Sequence, residues 1–119
     1  MSSAQTEALV QALAPHLGDG GEEQARDAAE SLPHTLDLCD DAIGDAGATA
    51  IAPHLPQALQ TLYLYDNAIG AAGATAIAPH LPQALQTLDL NYNAIGDAGA
   101  TAIAPHLTHS QQTLEQGGN

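Results

Sequence analysis

Few groups in this sequence have both the type and the spacing to do chemistry. His54, His80 and His106 recur every 26 residues, which raises the possibility of a metal ladder. Neighbours in one column of packed helices lie about 8–10 Å apart, whereas a zinc–nitrogen bond is about 2 Å, so no ion can be shared. A histidine in a last helical turn is explained more simply by the macrodipole. His106 and His109 lie closer together, and we set them aside as a chelating pair. Asp37, Asp40, Asp41 and Asp45 form an acidic group without the regular alternation of a calcium loop. Gly-Asp-Gly-Gly at 18–21 is not followed by the Gly-Lys-Ser/Thr of a phosphate loop. Cys39, the single cysteine, cannot form an internal disulfide, and its carboxylate neighbours disfavour the thiolate. No Ser/His/Asp or Cys/His arrangement emerges. The expectation is a protein without catalytic residues, metal or cofactor.

What remains is chemistry of recognition. "TLYLYDN" at 61–67 returns as "TLDLNYN" at 87–93, with the threonine, both leucines and the asparagine unchanged. The units beginning at Ala42 and Ala68 differ only at 45/71, 63/89, 65/91 and 66/92. Three of those four positions belong to one short stretch. With the flanking copies they give three columns: Asp37, Tyr63, Asp89, Glu115; Cys39, Tyr65, Asn91, Gly117; and Asp40, Asp66, Tyr92, Gly118. All three tyrosines lie in this grid. Tyrosine supplies contact area and a hydrogen bond together, and it is enriched at binding hot spots. Relaxed drift on a solvent-facing strand would also change such positions. Drift would scatter changes over exposed helix positions too, and there the copies are nearly identical. The candidate partner-binding residues are therefore Asp37, Cys39, Asp40, Tyr63, Tyr65, Asp66, Asp89, Asn91 and Tyr92.

The elements that position this grid are set by self-similarity. The pairs Gly44/Gly47, Gly70/Gly73 and Gly96/Gly99 fix a 26-residue period, and a fainter gapless copy runs from Leu17. A period of this length means a solenoid. Alternating leucines such as Leu62 and Leu64 put both side chains on one face of a strand. Alanine-rich segments with Ile77 and Leu81 four apart predict a short helix with one buried stripe. Pro53, Pro79 and Pro105 limit each helix to about two turns with an irregular end. Leu62 and Leu64 are expected in the core, with Tyr63, Tyr65 and Asp66 outward.

The pattern Leu59-x-x-Leu62-x-Leu64-x-x-Asn67-x-Ile69 resembles the leucine-rich repeat signature. The following Ile69-Gly70-x-x-Gly73 segment is similar to the ribonuclease-inhibitor type of repeat. That resemblance implies a right-handed α/β solenoid, with a short parallel sheet on the concave face and short helices on the convex face. It implies that Asn67, Asn93 and Asn119, with Asp41 at the equivalent first position, form a ladder bonded to backbone groups of the turns. It further implies a protein–protein interaction module, since ribonuclease-inhibitor-like proteins use an acidic concave face for basic partners. A scaffold or engineered array without a natural partner, and a GTPase regulator of the Ran GTPase-activating type, are the alternative functions.

Composition narrows the partners. The chain has 119 residues, 14 of them acidic against one cation, Arg26, for a formal net charge of −13. A phosphate backbone or anionic bilayer therefore has almost nothing to bind. A basic protein partner fits this charge, and so does the plain need to keep an alanine-rich chain soluble. "MSSAQTEALVQALAPHL" lacks a basic region before its apolar residues, so it does not read as a secretory signal. The expectation is a cytoplasmic monomer, with an N-terminal helical cap at 1–17, repeats at 18–107 and a polar capping strand or tail at 108–119. Gln111 and Gln116 replace framework leucines in that last segment.

Overall fold

Four strands of three residues each stack in chain order as one parallel sheet: β1 (Thr35–Asp37), β2 (Thr61–Tyr63), β3 (Thr87–Asp89) and β4 (Thr113–Glu115). The computed structural model describes residues 3–38 and 41–107, and the backbone of 113–115. Thr35, Thr61, Thr87 and Thr113 lie side by side, so the register advances by one 26-residue unit per strand. Each crossover carries a helix: α3 (Gly44–Ile51), α4 (Ala71–Ile77) and α5 (Gly96–Ile103). Each helix tightens into a 3-10 turn with the sequence Ala-Pro-His. Proline cannot donate the N–H that would continue the α-helical ladder, and the turn forms where the bond is missing. The core lies between the two layers. Leu36, Leu62 and Leu88 face it from the strands, Leu38, Leu64 and Leu90 from just beyond them, and Ile51, Ile77 and Ile103 from the helices.

Small residues set the distance between helices. A Cβ on Gly99 would stand 3.2 Å from the Ala74 Cβ, and one on Gly73 only 2.6 Å from an Asp45 carboxylate oxygen. These glycines are therefore points of close backbone approach.

Asn67 and Asn93 are buried and saturated. Asn93 Oδ1 accepts the N–H groups of Asn67 and Ile69, both at 2.9 Å, while its Nδ2 donates to the Leu64 carbonyl at 2.8 Å and that of Leu90 at 3.1 Å. Asn67 repeats the arrangement one unit back, accepting the Asp41 N–H at 3.0 Å and donating to the Leu38 carbonyl. Asp41 thus starts the ladder as a backbone donor. Asn119 lies outside the described residues.

The N-terminal end breaks the pattern. In the gapless copy from Leu17, α2 (Gly21–Ala29) corresponds to α3, and stacking would set the two helices side by side. Instead α1 (Ser3–Leu13) occupies the place next to α3, and α2 packs on α1, the turn after it and β1. α1 runs against both neighbours. Its C-terminal turn meets the start of the other two helices, with the Gly21 Cβ position against the Ala14 carbonyl and that of Gly47 3.3 Å from the His16 Cβ. Its N-terminal half is tied to α2 by Arg26, which donates to both Glu7 oxygens at 2.7 and 2.8 Å and to Glu22 at 2.7 Å. The physical reason is the size of the apolar stripe. α1 buries Leu9, Val10 and Leu13, whereas α2 buries only Gly21, Ala25 and Ala29. The larger stripe takes the place beside α3, while Ala25 and Ala29 join the same core from α2.

Candidate partner-binding face

The exposed side of the sheet is built by the alternation of the strands. With Leu36, Leu62 and Leu88 turned inward, their neighbours must turn outward. Asp37, Tyr63 and Asp89 are register partners on adjacent strands, with Glu115 next in line. Asp37 is exposed, and Tyr63 and Asp89 are half-buried. One tyrosine therefore stands between two carboxylate-bearing strands. The Asp89 carboxylate is held in place, since its Oδ1 accepts the Asn91 N–H at 3.0 Å.

Beyond the regular strands the ladder continues for one further step. The Leu64 N–H donates to the Asp89 carbonyl at 2.8 Å, and the Asp66 N–H to that of Asn91 at 2.9 Å. This continuation places Tyr65 next to Asn91, both half-buried. The Tyr65 and Tyr92 rings, one from each of two repeats, meet edge to face with centroids 5.2 Å apart and planes at 63°. Such a pair contributes about 0.5–1.5 kcal/mol beyond its buried area. Tyr92 is nonetheless 59% exposed, the one large apolar side chain left open among the described residues.

The third column differs from the sequence reading in its backbone. Asp66 and Tyr92 are not strand residues. They occupy the left-handed region, at φ 53° and 57°, in the turn that leaves the sheet. Aspartate tolerates this region because its short polar side chain can bond locally, whereas an aromatic residue there is strained. The periodicity counts positions but does not show where a strand ends. Cys39 and Asp40, also candidates, lie outside the described residues.

One residue with a clear task escaped the sequence reading. Asp45 is the single difference between copies that falls off the grid. Its Oδ1 accepts the N–H groups of Gly70 at 2.6 Å and Gly73 at 2.9 Å, capping α4 from the preceding repeat. The signal was present in the 45/71 difference. The alanine at 71 offers α5 no such acceptor, and α5 starts without a side-chain cap.

The remaining chemical candidates are dispersed. His54, His80 and His106 each close a 3-10 turn on the helical side. Among the described residues no group of three or more histidine, cysteine or acidic side chains could hold a metal ion. A cavity of about 590 Å³ lies away from the sheet face, between the start of α1 and residues 53–58. It is lined mainly by proline, alanine and Leu55, with Gln5, His54 and Gln57 as its polar groups. No helix among the described residues is long and apolar enough to cross a membrane.

A family model described as Leucine Rich repeat matches residues 57–78 and 83–104. These spans include β2 with α4 and β3 with α5. No curated relative matches the chain.

Proposed function

We propose that this leucine-rich repeat protein is a non-catalytic recognition module that holds a protein partner on the exposed face of its sheet. Leucine-rich repeats generally mediate protein–protein interaction, and that general role is the starting point. The observation that carries the reading is the Tyr65–Tyr92 pair, aromatic area assembled from two repeats on an open surface. Around it stand the positions at which the copies diverge: Asp37, Tyr63, Asp66, Asp89 and Asn91. Cys39 and Asp40 belong to the same columns.

The charge of the chain indicates the character of the partner. A net charge of −13 favours a basic protein and speeds its encounter at low salt. The resemblance to ribonuclease-inhibitor repeats points the same way. A standard interface buries roughly 800 Å² per partner. Four short strands with a few outward residues each barely reach that area, so an affinity in the micromolar range is expected.

The test is capture of a partner by the unaltered protein and by the triple variant Tyr63→Ala, Tyr65→Ala, Tyr92→Ala. Capture should disappear while the urea melt stays cooperative, its midpoint lowered only by the modest cost of the lost Tyr65–Tyr92 contact and partial burial. Retention in the triple variant, with loss on altering the exposed Thr49 and Thr75, would move the functional face to the helices and overturn the reading.

A further inference from the structure

We infer that the row Asp37–Tyr63–Asp89 is a seat for an arginine side chain of the partner, with the guanidinium lying flat on the Tyr63 ring. This rests on the proposed function and adds the chemical class that the face selects. The argument starts from register. Asp37, Tyr63 and Asp89 are paired Cα to Cα across three adjacent strands, and their inward neighbours Leu36, Leu62 and Leu88 are buried. An outward tyrosine ring is thus flanked on both sides by carboxylate-bearing positions.

Two strand spacings, about 9.5 Å, separate the outer Cα atoms. A planar fork can stack on the ring and extend a charge-assisted hydrogen bond of about 2.8 Å toward each side. A lysine ammonium is a compact point charge that cannot fill both roles in that plane. The ring face itself attracts a cation. Asp89 is already oriented by the Asn91 N–H, so less ordering is required when the cation arrives. The partner's arginine also meets a chain of opposite net charge, −13. The chain's own arginine, Arg26, is bound to Glu7 and Glu22 and is not drawn to this row.

The chain reports on this seat by itself. It has no tryptophan, and its three tyrosines, Tyr63, Tyr65 and Tyr92, all lie on this face. Tyrosine emission can therefore be titrated with blocked peptides that alternate glycine with arginine, lysine or citrulline. At low salt the arginine peptide should bind about fivefold tighter than the lysine peptide, and the citrulline peptide should not bind measurably. Tyr63→Leu should weaken the arginine peptide about threefold to fivefold and erase its advantage over lysine. Tyr63→Phe should keep the advantage, because the ring face remains. Asp37→Asn and Asp89→Asn should each weaken binding while the urea melt is unchanged. Equal binding of the arginine and lysine peptides, or an unchanged advantage in Tyr63→Leu, would overturn the inference. Failure of all three peptides, with partner capture still dependent on Tyr65 and Tyr92, would overturn this inference and leave the proposed function standing. Selective arginine binding alongside partner capture that ignores all three tyrosines would overturn the proposed function alone.

Discussion

The Asp45 carboxylate accepts the backbone N–H of Gly73 at 2.9 Å across the boundary between two repeats. A helix begins with N–H groups that have no partner inside the helix. Here the preceding unit supplies the acceptor, and the same oxygen also takes the Gly70 N–H. Stacking and capping are therefore one interaction. Asp45→Ala should cost about 1 kcal/mol in urea melts. The reciprocal change Ala71→Asp should raise the midpoint by offering α5 the acceptor it lacks. A gain from the first change would contradict the capping role.

Leu64 and Tyr65 are adjacent in sequence and opposite in environment. Leu64 is fully buried with repeats on either side, and Leu64→Ala should cost about 2–5 kcal/mol. Tyr65→Ala loses one edge-to-face contact and partial burial, about 1 kcal/mol. Equal losses in parallel urea melts would reverse the assignment of faces.

Asn93 joins two turns through both ends of its amide. Asn93→Ala leaves buried N–H and C=O groups without partners, each costing about 1–3 kcal/mol. Asn93→Asp keeps the acceptor but sets a carboxylate oxygen against the Leu64 and Leu90 carbonyls in a buried site, so at neutral pH it should cost at least as much as the alanine variant. Thermal melts of the three proteins give the order.

Acid should loosen the N-terminal end first. The Arg26 guanidinium and the Gln11 amide, both donating to Glu7, hold its carboxyl at about 2, below the ordinary 4.5. A folded value below the unfolded one means stability that is present above about pH 4.5 and lost as the pH falls toward 2. The pair is exposed, so salt should mimic part of the effect. The probe is amide exchange across α1 and α2, compared between neutral and acid pH. Uniform loss of protection along the whole chain would contradict it.

Much of this was legible from repetition. Leu62 and Leu64 inward and Tyr63 outward follow from period two, and the proline positions set where each helix tightens. Where repetition stopped, so did legibility. The copy from Leu17 resembles the later units in sequence, but no period shows that α1 will take the place beside α3, because its leucines compete from outside the repeat. Turn conformation was hidden as well. Asp66 and Tyr92 count as one more outward position in the alignment, and only the backbone places them at positive φ. Asp45 stood out as a difference, yet its purpose needs the neighbouring helix start to be seen. The outward tyrosines could be counted, but not the edge-to-face meeting of Tyr65 with Tyr92.

The helix α1, wedged against the run of its neighbours, also gives the molecule a direction in which to come apart. In a stacked array each unit leans on the next, so heat removes units from the end held least. At one end α1 is clasped between α2 and α3, with the Arg26 ion pairs closing the far side. At the other, Ala104 is exposed where its counterparts Ala52 and Ala78 are buried. Warming of this chain should thus release α5 before α1.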